Sequence, residues 1–168
     1  MNFCLTLLYT LSKFNESSNS IATMKYNFTA EIETQINAPL NKVWDALTKP
    51  ELIKIYFFGT NTITDWKVGH PIIFEGEWEG KKYSDKGTVL EYRENDQLKY
   101  DYWSSMSGTE DIPENYGIIT YTVKADGDRT RFFIKQENIR DEQFKEHSVE
   151  NWKKIMVDLK SLVEAGGN

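Results

Sequence analysis

The stretch APLNKVWDALTKPELIKIYFFGT, residues 38–60, predicts two short helices, one directly after the other. Pro39 pre-sets the first turn of a helix that ends near Thr48 and carries one apolar stripe. The stripe consists of Leu40, Val43, Trp44 and Leu47. The hydroxyl of Thr48 and the carboxylate three residues later have the form of a capping box, which predicts a second helix starting at Pro50. Gly59 is expected to stop that helix, and a helix pair of this kind is suited to closing one end of a sheet.

The segment before these helices alternates between apolar and polar side chains. Phe28, Ala30, Ile32, Thr34 and Ile36 share one face, whereas Glu and Gln occupy the other. A period of two residues is typical of a strand with one buried face. The sequence therefore predicts a half-buried strand just before the two short helices.

Downstream of the helices, alternating segments are separated by turn residues at 79–81, 94–96 and 126–128, and the segment before the second of these turns is expected to run from Thr88 to Arg93. Short connections of this kind favour antiparallel pairing, so we predict a meander of five or six strands. The inward positions are Ile72, Phe74, Gly76, Trp78, Leu98, Tyr100, Tyr102, Ile119, Tyr121, Val123, Thr130, Phe132, Ile134 and Gln136. Residues 142–164 then predict one long amphipathic helix. Its apolar stripe is Phe144, Ser148, Trp152, Ile155, Leu159 and Leu162.

This order of elements predicts an α+β fold with a curved antiparallel sheet, in which the long C-terminal helix covers the apolar face. The two short helices close one end, and a hydrophobic cavity is expected between sheet and helix. Gly76 lies between Phe74 and Trp78 on the inward face. Its missing side chain either permits a bend of the sheet or leaves room for a ligand.

Composition narrows the function classes. Lys and Arg number 20 against 26 Asp and Glu, a net charge of -6, and no basic cluster could follow a phosphate backbone, which argues against nucleic acid. Cys4 is the single cysteine, and His70 and His147 are the two histidines. An intrachain disulfide and a His/Cys metal cluster are therefore excluded, and a reducing cytoplasm fits. The aromatic content of 14% supplies either a core or the lining of a pocket.

The first 23 residues differ from the rest, since an apolar run is followed by the polar stretch SKFNESSNS. The run is too short to span a bilayer and lacks the basic start of a secretory signal. We interpret residues 1–23 as an N-terminal extension, disordered or preceding a true start at Met24, with a weak signal peptide as the alternative. Residues 24–168 then form a single domain.

Candidates for catalysis are few. His147 has no Ser or Cys partner in a nucleophile motif, so we interpret it as structural or as a hydrogen-bond donor at a rim. Glu75, Glu77 and Glu79 alternate away from the inward residues and are expected to form a solvated outer face. No catalytic residue is therefore predicted. The inward tyrosines need hydrogen-bond partners, either in the protein or in a ligand.

Five segments together resemble one known family: INAPLNKVWDALTKPELIKIYF at 36–57, DWKVGH at 65–70, KGTVLEY at 86–92, DQLKYDYW at 96–103 and HSVENWKKIMVDLKSLVE at 147–164. They are similar to the START-like (SRPBCC) superfamily, in its branch of homologues of the activator of the heat-shock protein 90 ATPase. The resemblance covers about residues 27–165. It implies a helix-grip fold with a deep hydrophobic cavity, in members that bind lipids, polyketides or other small apolar molecules. One departure is Asn151, which stands where the family usually has glycine before Trp152.

The sequence thus favours a cytoplasmic protein that binds a small apolar or amphipathic molecule without covalent chemistry, as a carrier, sensor or sequestering protein. The expected ligand-binding residues are Phe74, Gly76, Trp78, Tyr102, Tyr121, Trp152 and Met156. We expect a preformed cavity of about 300 to 1,000 Å³ that opens near residues 104–115. No cofactor, metal, nucleic acid or membrane span is expected, and a monomer and a dimer stay open. A chaperone-interacting stress-response module and an enzyme of the cyclase or hydrolase kind are the alternatives.

Overall fold

The computed structural model describes residues 24–165, and the predicted N-terminal extension, residues 1–23, lies outside that range. The strands are β1 (Phe28–Ile36), β2 (Asn61–Ile63), β3 (Pro71–Trp78), β4 (Lys81–Arg93), β5 (Gln97–Tyr102), β6 (Gly117–Asp126) and β7 (Arg129–Ile139). The helices are α1 (Leu40–Thr48), α2 (Pro50–Tyr56) and α3 (Glu142–Ala165), with a short 3₁₀ turn at Pro113–Asn115.

The seven strands form one antiparallel sheet in the order β1-β7-β6-β5-β4-β3-β2. Together with the two short helices and the long C-terminal helix, this sheet confirms the predicted helix-grip architecture. Six of the strands follow the two short helices, within the predicted five or six, although β2 has three residues and carries no readable alternation. The alternation also placed the start of β4 near Thr88, whereas the strand begins at Lys81 and pairs with all of β3.

The two short helices lie where the prolines predicted them, but they are not joined by a capping box. The Thr48 hydroxyl donates to the carbonyl oxygen of Trp44 at 2.8 Å, within α1. Lys49 is the N-cap of α2 and makes no side-chain capping bond. The capping-box prediction is therefore wrong: Thr48 still belongs to the first helix, so its hydroxyl satisfies that helix. Pro50 at the first position of α2 supplies the start signal instead.

α3 packs on the apolar face of the sheet and contacts β1, β7 and the two short helices. Its buried residues are Trp152, Ile155, Met156, Leu159 and Val163. Phe144, which the periodicity placed on the same stripe, is 42% exposed and lies beneath Arg140, whose guanidinium is 3.9 Å from the ring centroid. No residue of α3 before Trp152 is buried, so the first turns of the helix add no buried side chain to the core. The prediction for Phe144 is therefore wrong.

No helix among the described residues is long and apolar enough to cross a bilayer. Between residues 24 and 165, no group of His, Cys, Asp and Glu side chains is arranged to hold a metal ion.

Candidate functional site

The centre of the apolar face contains a small cavity, where α1 and α2 meet the middle of the sheet. Its volume is about 10 Å³. The lining residues are Leu47, Ile53, Tyr56, Phe57, Trp66, Ile72, Phe74, Tyr100 and Tyr121. This space is close to the minimum that holds one water molecule. The expectation of a preformed cavity of several hundred Å³ is therefore wrong for this structure, because aromatic rings from both layers fill the space.

Aromatic rings surround this cavity in edge-to-face and stacked contacts. Tyr121 is central: its ring centroid lies 5.8 Å from that of Tyr100, 5.5 Å from Phe132 and 5.9 Å from Trp152. Phe57 stacks on Trp152 at 6.3 Å. Such pairs contribute about 0.5 to 1.5 kcal/mol each beyond their burial, so the closed arrangement is favourable without a ligand.

Three phenol hydroxyls belong to this lining. The hydroxyl oxygens of Tyr100 and Tyr121 are 3.1 Å apart and share one hydrogen bond. Tyr56 is 5% exposed, and its hydroxyl makes no hydrogen bond to any described residue, but the oxygen is not fully enclosed. Burial raises the pKa of all three phenols above the ordinary value, and for each the charge of a neighbouring phenol raises the pKa further. All three are therefore neutral hydrogen-bonding groups at physiological pH.

Tyr102, which was predicted to bind the ligand, forms a hydrogen bond to another residue of the protein instead. Its hydroxyl donates to the carboxylate of Asp85 at 2.5 Å. The other carboxylate oxygen accepts hydrogen bonds from the Ser104 hydroxyl, the Ser105 hydroxyl and the Ser105 amide, at 3.2, 2.9 and 2.8 Å. Asp85 is only 6% exposed. Its four donors fasten the beginning of the loop after β5 to the sheet, which explains how a carboxylate is buried there.

The space beside Gly76 is occupied by another side chain of the protein. A Cβ built on Gly76 would lie 2.6 Å from Cζ and 2.9 Å from Cε1 of Tyr83, its cross-strand partner. The Tyr83 hydroxyl is 2.7 Å from Oγ1 of the buried Thr60. Of the two roles predicted for Gly76, room for a ligand is therefore wrong, because the ring of Tyr83 occupies that room.

Trp78 lies outside the cavity, contrary to the prediction. Its side chain is 51% exposed and packs edge-to-face on Phe58, with ring centroids 5.7 Å apart. The pair is the outer end of a row of aromatic rings that continues inward through Phe57 to Phe74 and Trp152. Trp78 thus lies on the expected face of β3, but at its uncovered end.

Of the other predicted site residues, Phe74 and Tyr121 line the cavity and are brought together there. Trp152 and Met156 are buried in α3, with Trp152 in contact with Tyr121 and its indole N–H donating to Gln136 at 2.7 Å. Neither of these two lines the cavity directly.

Several lining residues were not predicted, namely Leu47, Ile53, Tyr56, Phe57, Trp66, Ile72 and Tyr100. The aromatic run Tyr56–Phe58, directly before Gly59, is a signal that could have pointed to three rings at the end of α2. Asp85 was missed because alternation was read only from Thr88 onward, whereas Asp85 is an inward position of the longer β4.

A second depression, of about 470 Å³, lies on the opposite face of the sheet across β1, β6 and β7. Its lining includes Glu31, Glu33 and Lys135, and Arg131 stacks at 4.9 Å on the ring of the lining residue Phe133. Charged side chains of both signs make this surface unsuited to an apolar ligand.

A family model described as Activator of Hsp90 ATPase homolog 1-like protein matches residues 37–164. A search of curated proteins returned no significant match. Among solved structures, that of ChR145 from Cytophaga hutchinsonii is 41% identical, with a TM-score of 0.74 over 85% of this chain and 98% of that one.

Two more distant structures share the fold. The Aha1 dimer from Colwellia psychrerythraea is 17% identical, with a TM-score of 0.66 over 84% of this chain and 99% of that one. DynU16, a protein of the dynemicin biosynthetic locus, is 15% identical, with a TM-score of 0.69 over 82% of this chain and 48% of that one.

Proposed function

This chain belongs to the Activator of Hsp90 ATPase homolog 1-like family, and we propose that it binds a small apolar or amphipathic molecule in the cavity beneath α2. The observation that carries the proposal is the cavity itself, which is lined by six aromatic residues and contains no charged side chain. Sites for small molecules are typically apolar and aromatic, with a few polar groups that fix orientation.

A ligand needs more space than the 10 Å³ present, so part of the lining has to move. Phe57 is the residue best placed to do so. It follows the last residue of α2, is half-buried, and is succeeded by Phe58 and Gly59 with φ angles of 53° and 75°. The Phe57 N–H donates to the carbonyl oxygen of Ile53 at 2.8 Å, so the ring moves by rotation about its side-chain bonds, which leaves this last helical hydrogen bond intact.

The path opened by such a movement leads to the surface. Phe57 contacts the exposed Phe58, and Phe58 contacts Trp78. An apolar molecule could exchange its contacts with water for contacts with these rings before it reaches Tyr121. Burying its surface would contribute about 25 cal/mol per Å², from which the cost of displacing Phe57 is subtracted.

The lining also supports binding over covalent chemistry. Phenols are the only titratable groups among the nine lining residues, and no Ser, Cys or His is present to act as nucleophile or base. A role as carrier or sensor therefore fits this site better than the cyclase or hydrolase alternative.

The test is a fluorescence titration with the neutral probe N-phenyl-1-naphthylamine on wild type, Phe57→Ala and the control Phe58→Ala. We expect the wild type to bind, Phe57→Ala to bind more tightly because its space is already open, and Phe58→Ala to resemble the wild type. Binding by Phe57→Ala alone would mean that truncation created the site and would contradict the proposal. Native mass spectrometry of protein from its host would then identify the ligand, whereas a chaperone co-purifying without a small molecule would favour the chaperone-module alternative.

A further inference from the structure

The cavity contains hydrogen-bond donors that the protein leaves unused. A phenol has one O–H proton, and the single bond between Tyr100 and Tyr121 uses the proton of one of them. The proton of the other phenol, and that of Tyr56, have no acceptor among the described residues. Two donors at the cavity therefore have no acceptor within the described part of the protein.

The other polar group of the lining is already used. The indole N–H of Trp66 donates to the carbonyl oxygen of Thr48 at 2.8 Å. The adjacent Trp152 donates to Gln136. The lining donors that have no acceptor in the described part of the protein are therefore phenol hydroxyls. The three phenols lie on different elements: Tyr56 on α2, Tyr100 on β5 and Tyr121 on β6.

The size and charge of the cavity restrict what those donors can meet. A volume of about 10 Å³ corresponds to about one oxygen atom or one water molecule. Since no charged side chain lines the cavity, a carboxylate or an ammonium group would be buried there without a counter-ion, at a large cost. A carbonyl oxygen has two lone pairs and no proton of its own, so it matches two converging donors.

This inference rests on the function proposed above: we propose that Tyr56, Tyr100 and Tyr121 form a subsite for the carbonyl oxygen of an uncharged ligand. The apolar remainder of the ligand takes the place of the Phe57 ring. Burial keeps the three phenols protonated, so they remain donors over the physiological pH range. The ligand class is therefore a neutral, mainly apolar ketone, quinone or ester rather than a fatty acid or a cationic amphiphile.

The experiment compares two probes of nearly the same shape, 2-acetylnaphthalene and 2-isopropenylnaphthalene, in which a methylene group replaces the carbonyl oxygen. Both are titrated calorimetrically into wild type, Tyr56→Phe, Tyr121→Phe and the control Tyr116→Phe. The Tyr116 hydroxyl donates to Asp111 on an exposed surface outside the cavity. We expect the wild type and the control to prefer the ketone by about five- to tenfold, and each cavity variant to lose most of that preference.

The outcomes separate this inference from the proposed function. Equal binding of both probes by the wild type would overturn the carbonyl subsite and leave apolar binding intact. Binding of neither probe would overturn both. A preference that survives in both cavity variants would also overturn the assignment to these tyrosines.

A second measurement covers a variant that fails to fold, because it uses only the wild type. The carbonyl carbon of ¹³C-labelled 2-acetylnaphthalene shifts downfield when its oxygen accepts hydrogen bonds. In the bound state we expect a shift downfield of the value in hydrocarbon solvent. A resonance at the hydrocarbon value would overturn the subsite.

Discussion

Replacing Gly76 by alanine tests whether this glycine exists to accommodate Tyr83. The new Cβ would lie within 2.9 Å of three atoms of the Tyr83 side chain, closer than real Cβ contacts come, so that side chain has to move. This movement breaks the 2.7 Å hydrogen bond between the hydroxyls of Tyr83 and Thr60, and Thr60 is only 2% exposed.

The magnitude follows from three contributions. Loss of the hydrogen bond costs about 1 kcal/mol, and the crowding costs about 1 to 3 kcal/mol. Alanine has a smaller backbone entropy than glycine in the unfolded chain, which offsets about 0.4 to 1 kcal/mol of this loss in stability. The net expectation is a loss of about 1 to 3.5 kcal/mol in the free energy of unfolding, measured by urea denaturation.

A double-mutant cycle with Tyr83→Ala isolates the cause. In the Tyr83→Ala background no ring opposes the new Cβ, so Gly76→Ala should be neutral or slightly stabilising. An equal loss in both backgrounds would refute the reasoning and show that Gly76 is required for the backbone path of β3 instead. Gly76→Leu should likewise act through Tyr83, and any effect on probe uptake would be secondary to that displacement.

Three further predictions concern the core, the terminus and alkaline pH. Trp152→Ala should cost about 3 to 5 kcal/mol in urea unfolding, because the ring is buried against Phe57 and Tyr121, whereas Val157→Ala on the exposed side of the same helix should cost little; equal costs would contradict the packing. Deleting residues 1–23 should leave the melting temperature nearly unchanged in calorimetry, and a drop of many degrees would show that this segment docks on the domain. The three cavity phenols have raised pKa values when folded, so their contribution to stability is complete below pH 10 and is lost as pH rises above it. Phenolate absorbance should show these groups ionising together with unfolding, and their ionisation in the folded protein would contradict their burial.

Much of the secondary structure could be predicted because its signals are local. Pro39 and Pro50 mark the first turns of α1 and α2, and the alternation from Phe28 to Ile36 matches the bounds of β1, although Phe28, predicted to face inward, is exposed because a register irregularity separates it from Ala30. The turn residues after Trp78 and Arg93 end their strands as expected. Each of these signals depends on a few neighbouring residues, so no knowledge of the tertiary structure is needed to read it.

The candidate site was predicted only in part, because alternation tells which face a residue occupies and not what lies above it. Phe74 and Trp78 share the inward face of β3, yet Phe74 is buried under Phe57 and Trp78 is half exposed. The difference arises because the covering residues come from α2 and α3, far away in the sequence. Tyr102 was assigned to a ligand for the same reason, since its actual partner, Asp85, lies on a neighbouring strand.

By itself, the sequence determined the order and type of the main elements, the inward faces of the strands and the family, because short-range periodicity and motif order carry that information. Only the tertiary structure decided the size of the cavity and which hydroxyls border it. The cavity is the small space left between rings that approach from α2, β3, β5 and β6, so its volume depends on the position of each ring, including Phe57. Such a remainder depends on distances between elements, which no local pattern of residues encodes.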